Sequence, residues 1–544
     1  MTPRTVSGDV GRDRRRVQYP AARGRMDVGQ DGQRRPCAVV VGAGIAGLAA
    51  ATGLAAATGL AAATGLAERG FRVEVIERER YLGGRVGGWT ETLSDGTTVG
   101  MNRGFHAFFA QYYNLRKLLS RSDPGLTRLQ RIDDYPLIDA DGHREGFRHL
   151  PRTPPWNAVA FALRSPTFRL RDLIRMNARA AAPLAAVSVP QTYRQLDHLD
   201  AETFLRRINF PAAARHLAFD VFSRSFFVAP GQMSAAELAA MFHIYFLGSN
   251  EGLVFDVARD NFDVALWNPL AEYLTAPAVP GRPGSVVFHT GVSVTRIESD
   301  GAGFRLHVDT GSCLAADAVV LAVDVAGLRE IVAASPGLGT AEWRSRVAEL
   351  ATAPAFVVHR LWLDRPLRRD RPSFLATGNL DPVDNISVLD RYERTAAEWA
   401  RERGGSIVEL HAYAAAEQLP GAPVRQELRG RLCARLHEIY PESAQARIVG
   451  ERTLWHQDCP RFAPGDFARR PEVATPHPRL MLAGDGIRVD LPVALMERAA
   501  TTGWIAATEL ARQWRAAGHS LQTVPNRGRS ALLRTLAIRE RSSS

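Results

Sequence analysis

The stretch Cys37-Ala-Val-Val-Val-Gly42-Ala-Gly44-Ile45-Ala46-Gly47 decides the fold. Three β-branched residues in a row read as a buried strand, and the glycines that follow read as a tight turn opening a helix. Glycines at this spacing let backbone N–H groups approach a pyrophosphate at the helix N-terminus, where the helix dipole favours negative charge. By itself the pattern is weak, and the bland alternative is a glycine-rich helix start. It gains weight from Val73-Glu-Val-Ile-Glu77, a second strand ending in a carboxylate that suits ribose hydroxyls.

The interval between the two pieces is abnormal. Glu77 lies thirty residues beyond Gly47, where about twenty are expected. Leu-Ala-Ala-Ala-Thr-Gly stands three times in tandem, at 48–53, 54–59 and 60–65, and removing two copies restores a spacing of eighteen. As continuous helix, the added residues would lengthen the crossover by about 18 Å and turn its exit by about 120°. The next strand would then not pair, so one or two copies are expected to loop out. The uncharged run Ala38 to Ala67 also has the length of a membrane span, and Arg34-Arg35 before it superficially resembles a twin-arginine signal. Strand, glycine turn, helix and strand account for it better.

Two further motifs extend the site. Leu82-Gly83-Gly84-Arg85, followed by Gly87-Gly88-Trp89, sets paired glycines beside a guanidinium, which suits a second phosphate contact. Some 400 residues downstream, Leu480-Met-Leu-Ala-Gly484-Asp485 reads as strand and turn, with a helix expected over 492–502 that carries Val493, Met496 and Glu497.

Together these motifs resemble the FAD-dependent amine oxidase and carotenoid desaturase superfamily over about 36–510. The resemblance implies an α/β fold, with an FAD/NAD(P)-binding Rossmann-like domain (GR2 type) interleaved with an α+β substrate domain. It implies FAD as cofactor, with Asp485 at the ribityl-phosphate and the helix after it facing the flavin. Gly291-Val292-Ser-Val294 and Ala316-Asp-Ala-Val-Val-Leu-Ala322 match the superfamily's middle strands, which places Val292 near the adenine. The discontinuous FAD-binding domain is expected at 36–106, 283–345 and 471–520, and the substrate domain at 107–282 and 346–470, where Ser234-Ala-Ala-Glu237 before the apolar run Leu238 to Leu247 reads as a capping-box helix start. Residues 1–35 are expected to be a disordered extension, with Met26 an alternative start, and 521–544 a frayed tail.

Within the superfamily, the absence of any lysine after Lys117 argues against amine oxidation. The segment Arg103-Gly104-Phe-His106-Ala-Phe-Phe-Ala-Gln-Tyr-Tyr-Asn-Leu-Arg116 is closely similar to the bacterial carotene desaturase/methyltransferases, the isorenieratene synthase group. So are Ser223-Arg-Ser-Phe-Phe227, Met241-Phe-His-Ile-Tyr-Phe246 and Ala265-Leu-Trp-Asn-Pro269. That resemblance implies aromatisation of the β-ionone rings of β-carotene by desaturation and methyl migration. Phe105, Phe108, Phe109, Tyr112 and Tyr113 fall at helical spacing, a stripe that is either core packing or the wall of a polyene tunnel. His106, after the flavin-side turn at Gly104, is the candidate base; the alternative is a structural histidine. Another polyene desaturase, or a flavin-binding protein disabled by the repeat, remain the competing readings.

Composition narrows the classes further. Basic residues outnumber acidic ones 68 to 57, a net +11, but the arginines are spread along the chain apart from a cluster at Arg12 to Arg35, which does not suggest nucleic acid. A Schiff-base mechanism would have to use Lys117. Cys37, Cys313, Cys433 and Cys459 form neither a zinc pattern nor a disulfide framework, so no metal site is expected and a reducing cytoplasm fits. An insoluble carotenoid substrate implies peripheral association with the inner face of the cell membrane through amphipathic, arginine-bearing helices.

Overall fold

The computed structural model describes residues 13–29, 34–45, 58–168, 170–214, 227–253, 255–301, 303–416, 418–528 and 534. The β-branched runs form the centre of a parallel sheet: β1 (Cys37–Val41), β2 (Arg72–Glu77), β3 (Ser285–Thr290), β4 (Ala318–Leu321) and β5 (Leu480–Leu482). Their spatial order is β3, β2, β1, β4, β5, and every pairing is parallel. A parallel sheet is covered on both faces, so its strands are apolar throughout rather than alternating; β1, β4 and β5 are buried along their whole length. The chain order reverses between β1 and β4. The crevice beyond the carboxyl ends of these strands is therefore the natural ligand position.

A second sheet of seven strands holds Arg144–Glu145, Leu137–Asp139, Phe374–Gly378, Asn385–Val388, Ser406–Ala416, Ala355–Leu363 and Ile448–His456 in that order. Leu137–Asp139 joins Phe374–Gly378 in parallel, so segments from either side of β3 and β4 share this sheet. The helices that matter below are α1 (Thr58–Ala67), α2 (Tyr113–Leu119), α3 (Trp156–Arg164), α4 (Leu170–Arg175) and α5 (Leu495–Gln513). Alanine and glycine leave α1 with almost no side-chain relief, which lets it lie close against α5: a Cβ on Gly65 would come 2.7 Å from that of Ala507.

The repeat is resolved in an informative way. The glycine of α1 that abuts the first turn is Gly59, two repeat lengths beyond Gly47, and a Cβ on it would lie 1.7 Å from the carbonyl oxygen of Gly42. The third glycine of the motif exists to permit this helix–strand contact, and Gly59 fills that role. β2 then pairs in register with β1, Ala38 opposite Val73. Ala46, Gly47 and the expected loop of one or two copies lie outside the described residues.

Four expectations need correction. The aromatic stripe is not one helix: Phe108–Phe109 is a short strand paired with Phe255-Asp256, and α2 begins only at Tyr113. A turn at Ala110-Gln111 separates strand from helix, and β-prone phenylalanines gain more from cross-strand pairing. Helix α5 starts at Leu495, not at 492, opening from φ +59°. Ser234 does cap the helix Ala235–Phe242 through Ala236 N, but Glu237 does not close a capping box. Its carboxylate takes charge-assisted bonds from Arg470 and Arg498, 2.8 Å each, which are stronger than one to a backbone N–H. Finally, the described parts of the two ends, 13–29, 34–35 and 521–528, are not simply free. Val17–Tyr19 pairs with Leu521–Thr523, while Asn114 holds the carbonyl of Gln522 at 2.9 Å.

Candidate functional site

The two glycine motifs meet at the head of the parallel sheet. Gly44-Ile45 runs parallel to Gly83-Gly84, and Gly83 N donates to the carbonyl of Ala43 at 3.0 Å. Gly42 (φ +100°) and Gly83 (φ +94°) adopt left-handed conformations that favour glycine. Side chains there would strike Ala322 O at 2.6 Å and the Trp267 indole at 2.2 Å. Together these turns form one wall of a cleft of about 390 Å³.

Glu77, at the end of β2, lines that cleft and is nearly buried. Its carboxylate accepts from Ala43 N at 2.8 Å and Glu79 N at 2.9 Å, while burial pushes its pKa up. Val292, whose N–H donates to the Glu77 carbonyl at 3.0 Å, faces the same space. Two guanidinium groups reach the floor, each paired with a carboxylate. Arg85 donates to Asp485 at 3.2 Å, both side chains only 3% exposed, and its Nε and Nη1 have no hydrogen-bond partner among the described residues. Arg103 pairs with Asp458 at 2.6 Å, again with Nε unpartnered among the described residues. Leaving such donors buried and unmet costs about 1–3 kcal/mol each or more. Two glycine turns with no room for a Cβ, a carboxylate over one end and guanidinium N–H groups facing the other suit the ribose and diphosphate of FAD.

The downstream motif arrives beside this cleft. Gly484 N donates to Thr502 Oγ1 of α5 at 3.0 Å, and Asp485 reaches Arg85 across 400 positions of sequence. Val493 and Met496 are buried at the start of α5, whose N-cap Ala494 offers no side-chain cap. Of the expected cofactor residues, Gly42, Gly44, Glu77, Gly84, Arg85 and Val292 line the cleft itself. Gly83 supports it, Ile45 enters through its backbone pairing, and Gly484 and Asp485 reach it through Arg85; Val493 instead lines a separate small cavity with Gln111, Tyr112 and Glu497, and Met496 is buried at the start of α5.

His106 stands apart, against a small cavity shared with Arg360, Glu393 and Glu409. Its Nδ1 lies 2.8 Å from the Gly104 carbonyl, an acceptor only, so Nδ1 carries the proton and Nε2 keeps its lone pair. Nε2 has no partner among the described residues. Burial drives the pKa of the ring down to about 3, leaving it neutral. Glu393 is pushed up to about 7 by burial. For Glu409 burial works against ionisation, but Arg360 at 2.7 Å and His411 outweigh it and hold the carboxyl at about 2. Aromatic rings close the other side: Phe105 stacks on Phe374 at 4.3 Å, and Phe262 meets His106 edge-on at 5.3 Å.

Three participants escaped the sequence reading. Gly59 was legible in principle, because the six-residue repeat makes every one of its glycines a candidate for the same contact. Arg103 carried a faint signal, a charge inside an apolar run. Asp458 carried none, since its pairing with Arg103 spans 355 residues. Lys117 is occupied elsewhere, donating to the Ser520 carbonyl at 2.8 Å and lying 4.4 Å over Trp504. Asp139, Asp141 and His143 stand close enough to share a cation, but Asp139 is already bonded to the backbone of the other two.

Comparison with known proteins places this geometry. The profile described as flavin containing amine oxidoreductase matches residues 45–511. A carotenoid phi-ring synthase of Streptomyces griseus is 52% identical over 97% of either chain. Another of that name, from Chlorobaculum tepidum, is 27% identical over 90% of this chain and 91% of its own. Among solved structures, a double mutant of putrescine oxidase superposes with a TM-score of 0.62 at 17% identity, over 88% of this chain and 99% of that one, a likeness of fold.

Proposed function

The chain belongs to the flavin containing amine oxidoreductase family and is an FAD-dependent oxidoreductase, and on that premise we propose that it aromatises the β-ionone rings of β-carotene. The observation that carries this reading is the end-to-end similarity to a carotenoid phi-ring synthase. The aromatic surroundings of His106 and the engagement of the only lysine away from the cleft support it, because an apolar polyene needs shape and aromatic faces rather than charge.

Under this proposal FAD is held by Gly42, Gly44, Ile45, Glu77, Gly83, Gly84, Arg85, Gly104, Val292, Gly484, Asp485, Val493 and Met496. Gly59 stands where Gly47 was expected, and Arg103 is added. Residues 36–106, 283–345 and 471–520 make up the cofactor part, and 107–282 with 346–470 the substrate part. When bound, FAD would accept one hydride at a time, so an external electron acceptor must reoxidise it between the two hydride losses of each ring. Each ring loses two hydride–proton pairs while one methyl group moves to the neighbouring carbon. The protein positions the ring, keeps water out and takes the protons; Nε2 of His106 is the proposed acceptor. A cation beside a C–H bond makes that proton strongly acidic, so a weak, neutral imidazole is base enough, and the aromatic product supplies the driving force.

No helix among the described residues is long and apolar enough to cross a membrane. We infer cytoplasmic location with peripheral attachment to the inner face of the cell membrane, where such a substrate resides. The test is the visible spectrum of the purified protein followed by pigment extraction from a β-carotene-producing host that expresses it. Bound flavin with aromatic end groups supports the reading. Conversion of linear phytoene alone, or a protein without flavin, overturns it.

A further inference from the structure

We propose that the face built by α3 and α4 docks on an anionic lipid bilayer, and that it is the entrance for the apolar substrate. This rests on the substrate class proposed above but names the surface and its partner. On α3, Trp156, Val159 and Leu163 lie on one helix face and are 64%, 43% and 68% exposed; on α4, Ile174 is 76% exposed. These four make up a large share of the molecule's exposed bulky apolar side chains among the described residues.

The opposite face of α3 needs none of them. Asn157 donates to the Phe246 carbonyl at 2.6 Å, and Phe161 stacks on Phe147 at 5.5 Å. The helix is therefore anchored inward while a second apolar stripe points out, which a water-facing helix does not normally carry.

Charge selects the occupant. Between 148 and 179 the sequence holds seven arginines and a single acidic residue, Asp172. Arg148, Arg152, Arg164, Arg171, Arg175 and Arg179, from the same stretch of chain as the apolar side chains, are all exposed. Apolar residues rimmed by guanidinium groups suit acyl chains below anionic headgroups. Four side chains cover less than the ~800 Å² per partner of a stable protein interface, which disfavours a second copy of the chain.

Behind this face a continuous file of rings leads inward. Phe147 stacks on Tyr135 at 4.3 Å, Tyr135 meets Phe255 at 4.7 Å, and Phe255 meets Phe105 at 6.1 Å. The next residue in the chain is His106. The docking face is thus joined to the neighbourhood of the candidate base by a continuous column of packed rings.

The test uses the full-length, FAD-loaded protein and sedimentation with vesicles of phosphatidylcholine alone or of equal parts phosphatidylcholine and phosphatidylglycerol. We expect salt-sensitive binding to the anionic vesicles and much weaker binding to the neutral ones. The triple variant Trp156→Ser, Leu163→Ser, Ile174→Ser should bind at least about tenfold less. It should keep its flavin absorbance, which shows that it folds. It should also keep its turnover of detergent-dispersed substrate while losing turnover of substrate supplied in vesicles. Replacing Arg152, Arg164 and Arg175 by Gln should erase the preference for anionic lipid. Unchanged vesicle binding by the triple variant overturns the proposal, as does a dimer that this variant converts to monomer. Vesicle binding is read without turnover, so a protein that binds in this way yet makes no aromatic product would defeat the proposed reaction and leave the docking face standing.

Discussion

At the residue scale, the consequential choice is what burial does to a handful of titratable groups. His106 is neutral, with its free lone pair on Nε2 and its pKa at about 3. General bases contribute about 10²–10⁴-fold, so His106→Gln should cut kcat by roughly that factor while flavin absorbance stays intact; an unchanged rate would make the ring a packing residue. Because the group loses its lone pair only near pH 3, no fall in rate from this residue is expected between pH 5 and 8. Glu497 behaves oppositely. It accepts Asn114 N at 2.8 Å and Leu115 N at 3.0 Å at the start of α2, and burial pushes it up to about 8. A carboxyl whose folded pKa exceeds its unfolded value lends stability that is full below about 4.5 and is lost as pH rises through the folded value. Glu497→Gln should therefore flatten the decline in melting temperature between about pH 5 and 8, and a slope equal to that of the parent would assign the decline to other groups.

At the scale of elements, the repeat shows what sequence periodicity does and does not fix. Strand, glycine turn and second strand were legible because β-branched runs and glycine spacing are local properties. Which glycine would serve was not, since Gly47, Gly53, Gly59 and Gly65 have nearly identical surroundings in sequence and only contact with Gly42 distinguishes them. That contact predicts different fates for equal substitutions. Gly59→Ala drives a methyl group into the Gly42 carbonyl, and should lower flavin retention at least about tenfold, because overpacking a tight contact costs about 1–3 kcal/mol. Gly65→Ala meets Ala507 Cβ at 2.7 Å instead, and should loosen α1 against α5 rather than disturb the glycine turn. Deleting 48–59 puts Gly47 where Gly59 now sits and should preserve flavin binding, read by absorbance and melting. The aromatic run was misread for a related reason: five rings at helical spacing also fit a turn, a short strand and a helix start. The tertiary partner, Phe255 across from Phe109, settled the matter.

For the whole molecule, the chain ends carry an interaction that composition hides. Residues 1–35 are polar and arginine-rich, which argues for disorder, yet disorder follows only where no partner exists. Val17–Tyr19 adds a strand to Leu521–Thr523. Gly24 packs so closely on Ala516 that a Cβ would sit 2.4 Å from its carbonyl carbon, and Arg35 bridges Asp27 and the Gly70 carbonyl at 2.7 Å each. The C-terminal partner is in turn tied to α2, since Asn114 bonds both N–H and C=O of Gln522, while Glu497 of α5 caps α2 from the other side. Starting the chain at Met26 would strip the outer strand and leave the backbone of 521–523 to water, loosening α2 against α5 at the downstream end of the cofactor site. The truncated protein should be less stable by a few kcal/mol, at about 1 kcal/mol per hydrogen bond broken plus the apolar surface newly exposed to water. It should also release flavin at a lower temperature than the full chain. Melting followed by flavin fluorescence reads both effects at once, and coincident curves for the two proteins would return residues 1–25 to the status of a passive extension.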